Sequence, residues 1–83
     1  MNTRIALIGI IVEDEKGIAP TNALLHEYSQ YIVGRMGIPY NKKKINIISV
    51  VMDAPDNVIS ALSGKLGRIS GIFVKTMLAK TNA

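Results

Sequence analysis

The segment Arg4–Val12 reads Arg-Ile-Ala-Leu-Ile-Gly-Ile-Ile-Val, apolar at odd and even positions alike. Successive side chains of a strand point to opposite faces of a sheet. Ile5, Leu7 and Ile11 therefore cover one face, and Ala6, Ile8, Ile10 and Val12 cover the other. A strand of this pattern is buried on both sides. A second strong run, Ile45–Met52, reads Ile-Asn-Ile-Ile-Ser-Val-Val-Met. Ile72–Leu78 is a third, with Ile72, Val74, Thr76 and Leu78 on one face.

Between these runs the period changes. Leu24, Leu25, Tyr28 and Ile32 recur at helical spacing, and Pro20 suits the first turn of that helix. Gly34, Gly37 and Pro39 then argue against a long helix, so roughly Ile32–Met36 reads as a strand. Gly37-Ile-Pro-Tyr-Asn with Lys42-Lys43-Lys44 makes the connection to Ile45. Asp53 is the expected N-cap of a second helix, with Pro55 and Asp56 in its first turn. Val58, Ile59, Leu62 and Leu66 form its apolar stripe; Lys65 lies in its last turn and Gly67 is the expected C-cap.

The order is β-α-β-β-α-β, in two similar halves. Strand, acid Glu13, Pro20, helix and strand are echoed by strand, acid Asp53, Pro55, helix and strand. Such a pair of βαβ halves predicts an α+β ferredoxin-like sandwich: a four-stranded antiparallel sheet with both helices on one face. The other face is left apolar. A contiguous apolar face of more than a few hundred Å² is rarely left to water, so a homo-oligomer, dimer or tetramer, is expected. Ile8, Ile10, Val12, Ile48 and Val50 are its expected interface.

Composition narrows the function. Residues 1–83 suit a single domain, with 48% hydrophobic residues and no Cys. A core completed by association fits so small a chain. The absence of Cys removes disulfides, thiolate metal sites and Cys nucleophiles. The eight-residue run Ile5–Val12, followed by Glu-Asp-Glu, is too short for a signal peptide or a membrane span, and a cytoplasmic location is expected. The net charge is +4, scattered except for the three consecutive lysines. A solvated turn is the ordinary meaning of such a cluster; without stacking aromatics or a groove-reading helix, sequence-specific nucleic-acid binding is not expected.

Three stretches resemble one known family. They are Gly34-Arg-Met-Gly-Ile-Pro, Ile47-Ile-Ser-Val-Val-Met-Asp-Ala-Pro and Ile59-Ser-Ala-Leu-Ser-Gly-Lys-Leu-Gly-Arg. Together they resemble the small family of proposed regulators of the iron-only hydrogenase system in anaerobic bacteria, from about Arg4 to Lys80. The resemblance implies a fold related to ACT domains and to the C-terminal regulatory domain of the nickel-responsive repressor. It also implies multimers built through the sheet, and a regulator rather than an enzyme. The histidines and cysteine of the nickel site do not carry over: this chain has one His, His26, on the polar side of a helix. No metal or other cofactor is expected.

Candidate ligand residues fall into two groups. Arg35, between Gly34 and Gly37, offers a cationic fork for a carboxylate or phosphate beside accessible backbone; the alternative is an edge-strand bulge with a solvent-facing Arg. Glu13 and Asp14, expected at the same end of the sheet as Asp53, would suit an amine; a solvated loop is the alternative. Gly64 in the second helix is either a close-packing point for a partner or a weak helix end. Ser63-Gly64-Lys65 lacks the glycine spacing of a phosphate loop. Three functions remain: a small-molecule-sensing regulatory module working through assembly and a partner protein, a purely structural interaction module, and a nucleic-acid binder. The last is disfavoured because no helix-turn-helix or ribbon-helix-helix segment precedes Arg4.

Overall fold

A computed structural model describes residues 2–80. Its elements are β1 (Arg4–Val12), α1 (Ile18–Glu27), β2 (Ile32–Tyr40), β3 (Ile45–Ala54), α2 (Asp56–Gly67) and β4 (Ile72–Leu78), with short 3-10 turns at Glu15–Gly17 and Ser29–Tyr31. The sheet is four-stranded and antiparallel, in the order β2-β3-β1-β4. This is the expected ferredoxin-like arrangement. β1 and β3 are the central strands, which is why Ala6, Ile8, Ile10 and Val12 of one and Ile48, Val50, Met52 and Ala54 of the other are buried.

The register decides which face the helices cover. Ala6, Ile8, Ile10 and Val12 pair across β3 with Met52, Val50, Ile48 and Asn46. These β1 residues are at most 1% exposed, packed under Leu25 of α1 and Ile59, Leu62 and Leu66 of α2. The expected interface is thereby corrected. Ile8, Ile10, Val12, Ile48 and Val50 lie in the protomer's own core, 0–7% exposed, and have no surface to offer a second molecule. The open face carries the opposite parity. Both sets in β1 are apolar, so the pattern of that strand alone does not distinguish them.

Three local differences have plain causes. β2 runs on to Tyr40, four residues beyond the expected end. It is an edge strand, where Pro39 removes no ladder bond that the sheet requires. A register shift between Ile32 and Gly34 places a bulge at Val33, which is 68% exposed. The turn to β3 is closed by the Lys43 and Lys44 N–H groups donating to the carbonyls of Tyr40 and Asn41, with Lys44 at φ 54°. Finally, Asp53 does not cap α2. It is still in β3, the N-cap is Pro55, and no side chain bonds there. Gly67 is the last helical residue and Arg68 is the C-cap.

The β1–α1 and α2–β4 connections are joined at Gly71. Its φ is +80°, and a Cβ there would run into the Asp14 side chain. Its carbonyl accepts from the N–H groups of both Glu13 and Asp14, at 2.8 and 3.1 Å. Only glycine takes this conformation freely and permits this approach.

Candidate functional site

The open face of the sheet is built by strand alternation. β1 contributes Ile5, Leu7, Gly9 and Ile11, and their β3 neighbours are Asp53, Val51, Ser49 and Ile47. β4 adds Phe73, Lys75 and Met77, opposite Ile11, Gly9 and Leu7. β2 adds Gly34, Met36, Ile38 and Tyr40. Phe73 is 57% exposed, Met77 66% and Met36 60%. Lys75 and Asp53 are the charged residues among these face positions. Gly9 has no side chain, and this leaves a dent beside Lys75 and Ser49. Cavities of about 460 and 380 Å³ flank it, towards Leu7 and Met77 and towards Ile11 and Phe73.

The parity of this face has a signal in the sequence. Ser49 and Asp53 share one phase of β3, and Lys75 shares the matching phase of β4. Water-tolerant residues in two strands mark the uncovered side better than the doubly apolar β1 does.

The two predicted ligand groups behave differently. Arg35 pairs with Val50 and therefore points to the helix side of the edge strand. There its Nη2 donates to Asn22 Oδ1 of α1 at 2.9 Å. A cleft of about 250 Å³ opens at this point, lined by Ile18, Asn22, Arg35, Gly37, Pro39 and Asn46. Gly37 belongs to it, and no atom lies within 4 Å of the place its Cβ would occupy. Gly34 does not, because it pairs with Val51 and belongs to the open face. A second cavity of about 260 Å³ continues the cleft past Ile18, Pro39 and Asn46 to Glu15, Asn41 and Lys44.

The three acidic residues do not come together. β1 and β3 are antiparallel, with Asp53 opposite Ile5 and Asn46 opposite Val12. Asp53 thus lies at the start of β1, whereas Glu13 and Asp14 follow its end. At ~3.3 Å per residue the two ends lie roughly 25 Å apart. Asp14 serves the local backbone instead. Its Oδ1 accepts from the Lys16 N–H at 3.0 Å and caps the short turn.

Elsewhere the polar contacts hold elements together. Ser63 and Thr76 hydroxyls share a 2.7 Å hydrogen bond between α2 and β4. Lys65 Nζ lies 5.2 Å from the Tyr28 ring centroid and 3.8 Å from Glu27 Oε2. Its pKa is raised, first by hydrogen bonding to Tyr28 and then by the Tyr28 and Glu27 charges. The cation that ties α2 to α1 is accordingly retained below the ordinary lysine value of 10.5 and lost only above it. Gly64, near this tie, has open space around it. His26 is exposed, as its position off the helical stripe predicts. Among the described residues there is no cluster of three or more His, Asp or Glu side chains able to hold a metal ion, and no helix long and apolar enough to cross a membrane.

The split βαβ sandwich with its bare apolar sheet face and edge cleft is ACT-like. The ACT domain of the GTP pyrophosphokinase of Chlorobium tepidum superposes with a TM-score of 0.68 at 22% identity, over 90% of this chain and 99% of that one. Part of a formyltetrahydrofolate deformylase from Pseudomonas putida shares the fold, with a TM-score of 0.63 at 13% identity, over 88% of this chain and 28% of that one. Residues 4–76 match the TM1266-like family, described as "Iron-only hydrogenase system regulator, putative". The uncharacterized protein TM1266 of Thermotoga maritima has a TM-score of 0.90 and 40% identity, over 94% of this chain and 99% of that one. The chain belongs to this family. No curated protein matches it.

Proposed function

We propose that this chain is a small cytoplasmic regulatory module of the iron-only hydrogenase system. It pairs with a second copy through the open face of its sheet, and it reports a small-molecule effector to a partner protein. The role is one of binding, not catalysis, in keeping with a family of regulators.

The observation that carries this reading is the open face itself. Four strands ~4.8 Å apart and about seven residues long span roughly 450 Å² in plan, and more as accessible surface. That is slightly over half of the ~800 Å² per side of an ordinary stable interface. Its charges favour a second copy as the occupant. Lys75 and Asp53 are opposite in sign and lie on different strands, so a two-fold operation can set Lys75 of one copy against the partner's Asp53. A face carrying a single sign of charge would not be self-complementary in this way.

The test is light scattering of the full chain over a range of concentrations, combined with a thermal-shift screen of metabolites. A dimer or tetramer at micromolar concentration, stabilised by at least one compound, is the expected result. A monomer throughout overturns the assembly reading. An oligomer that no compound stabilises leaves a structural interaction module without effector.

A further inference from the structure

We infer that the cleft between α1 and the edge strand β2 binds a small carboxylate through Arg35. This rests on the effector-sensing reading and gives the effector a place and a chemistry.

The register creates the site. Arg35, Gly37 and Pro39 pair with Val50, Ile48 and Asn46, so all three face the helix side of a strand that has no neighbour beyond it. Gly37 contributes no side chain, and its missing Cβ would meet no atom within 4 Å. The space it leaves is bounded by Ile18 and Asn22 of α1 and by Asn46 of β3. The result is a notch of mixed lining, with Ile18, Ile48 and Pro39 beside a guanidinium and two carboxamides.

The chemistry follows from what the rim can offer. Arg35 has five N–H donors, and its bond to Asn22 Oδ1 orients the guanidinium. The remaining fork matches the two oxygens of a carboxylate. Asn22 and Asn46 can donate to, or accept from, polar groups on the body of the ligand. Among the described residues Arg35 is the one cation lining this cleft, so a single negative charge is balanced and a phosphate dianion is not. In the continuing cavity Lys44 is offset by Glu15. The cleft volume of about 250 Å³ limits the ligand. At ~30 Å³ per water it holds roughly eight waters, the space of a small organic acid.

The test is chemical-shift mapping on the isotope-labelled full chain, with the monoanions acetate and propionate as probes. Acetamide is the neutral control and inorganic phosphate the competing anion. The carboxylates should shift the Arg35 Nε and the Asn22 and Asn46 side-chain amides saturably, and acetamide should not. Arg35→Gln removes the charge. Gly37→Val fills the notch with a residue that favours strands. Each variant should keep the dispersed spectrum of the folded protein and weaken binding by at least ~tenfold. Shifts that map elsewhere, that persist in Gly37→Val, or that phosphate reproduces equally overturn the assignment. A metabolite that raises the melting temperature of wild type and Gly37→Val alike also overturns it, while leaving the effector-sensing reading in place.

Discussion

Phe73→Asp tests the open face at its most informative point. Phe73 sits in β4, on the row with Ile11 and Ile47, and leaves 57% of its surface to water in the single chain. An aromatic side chain of ~200 Å² thus has about 110 Å² to bury against a second copy. At ~25 cal/mol per Å² that is about 3 kcal/mol per protomer, or about 6 per two-fold dimer. Full conversion would shift the dissociation constant by roughly four decades. Association never returns the whole of this area term, so at least a hundredfold weakening is the expected result. The introduced carboxylate adds a desolvation cost in the same direction. Sedimentation equilibrium over a wide concentration range reads the dissociation constant, and urea unfolding of the dilute monomer reads the fold. The monomer should be nearly unaffected, because Phe73 is outside the helix-covered core. Ile10→Asp is the opposite control: at 1% exposure it should unfold the protomer rather than dissociate it. If Phe73→Asp leaves the dissociation constant unchanged, this face is not the interface.

Other perturbations test the fold. Gly71→Ala should cost about 2–3 kcal/mol in chemical denaturation, since it combines a positive φ with a collision against Asp14; a loss below half a kcal/mol would show that the turn relaxes freely. Thr21 is fully buried and its Oγ1 has no hydrogen-bond partner among the described residues, so Thr21→Val should stabilise by ~1 kcal/mol. A destabilised Thr21→Val would mean that the hydroxyl has a partner in solution. Lys44→Gly relieves a left-handed lysine and should raise the melting midpoint by the equivalent of ~0.5–1 kcal/mol, with no effect on assembly.

The arrangement of elements was legible because each half of the chain changes period cleanly, and because Pro20 and Pro55 mark where helices begin. The parity of the sheet was not legible from β1, where Leu7 and Ile8 are equally apolar. It depends on the register with β3 and β4, which is set by tertiary pairing. The end of β2 was hidden for a related reason. Gly37 and Pro39 are strand breakers by composition, yet an edge position makes both tolerable. Gly34 and Gly37 mark Arg35 as a candidate in the sequence. Its orientation towards Asn22 requires the Val33 bulge, which shifts the alternation that a simple count along the strand would give. The likeness of the two halves suggests one end of the sheet for Glu13 and Asp53, whereas the antiparallel pairing sets Asp53 at the opposite end. Its position after an apolar run suggested a cap, but β3 continues through Ala54.

The two rims of the sheet are unequal, and this has a consequence for polymer growth. β2 carries Pro39 and a bulge, which deprive an incoming strand of a regular row of donors and acceptors. β4 is a seven-residue strand with no proline and no register shift against β1. Any sideways joining of sheets therefore uses β4, and two copies joined β4 to β4 present only their blunted rims to the outside. A rim of that kind disfavours the open-ended addition of strands that leads to fibres.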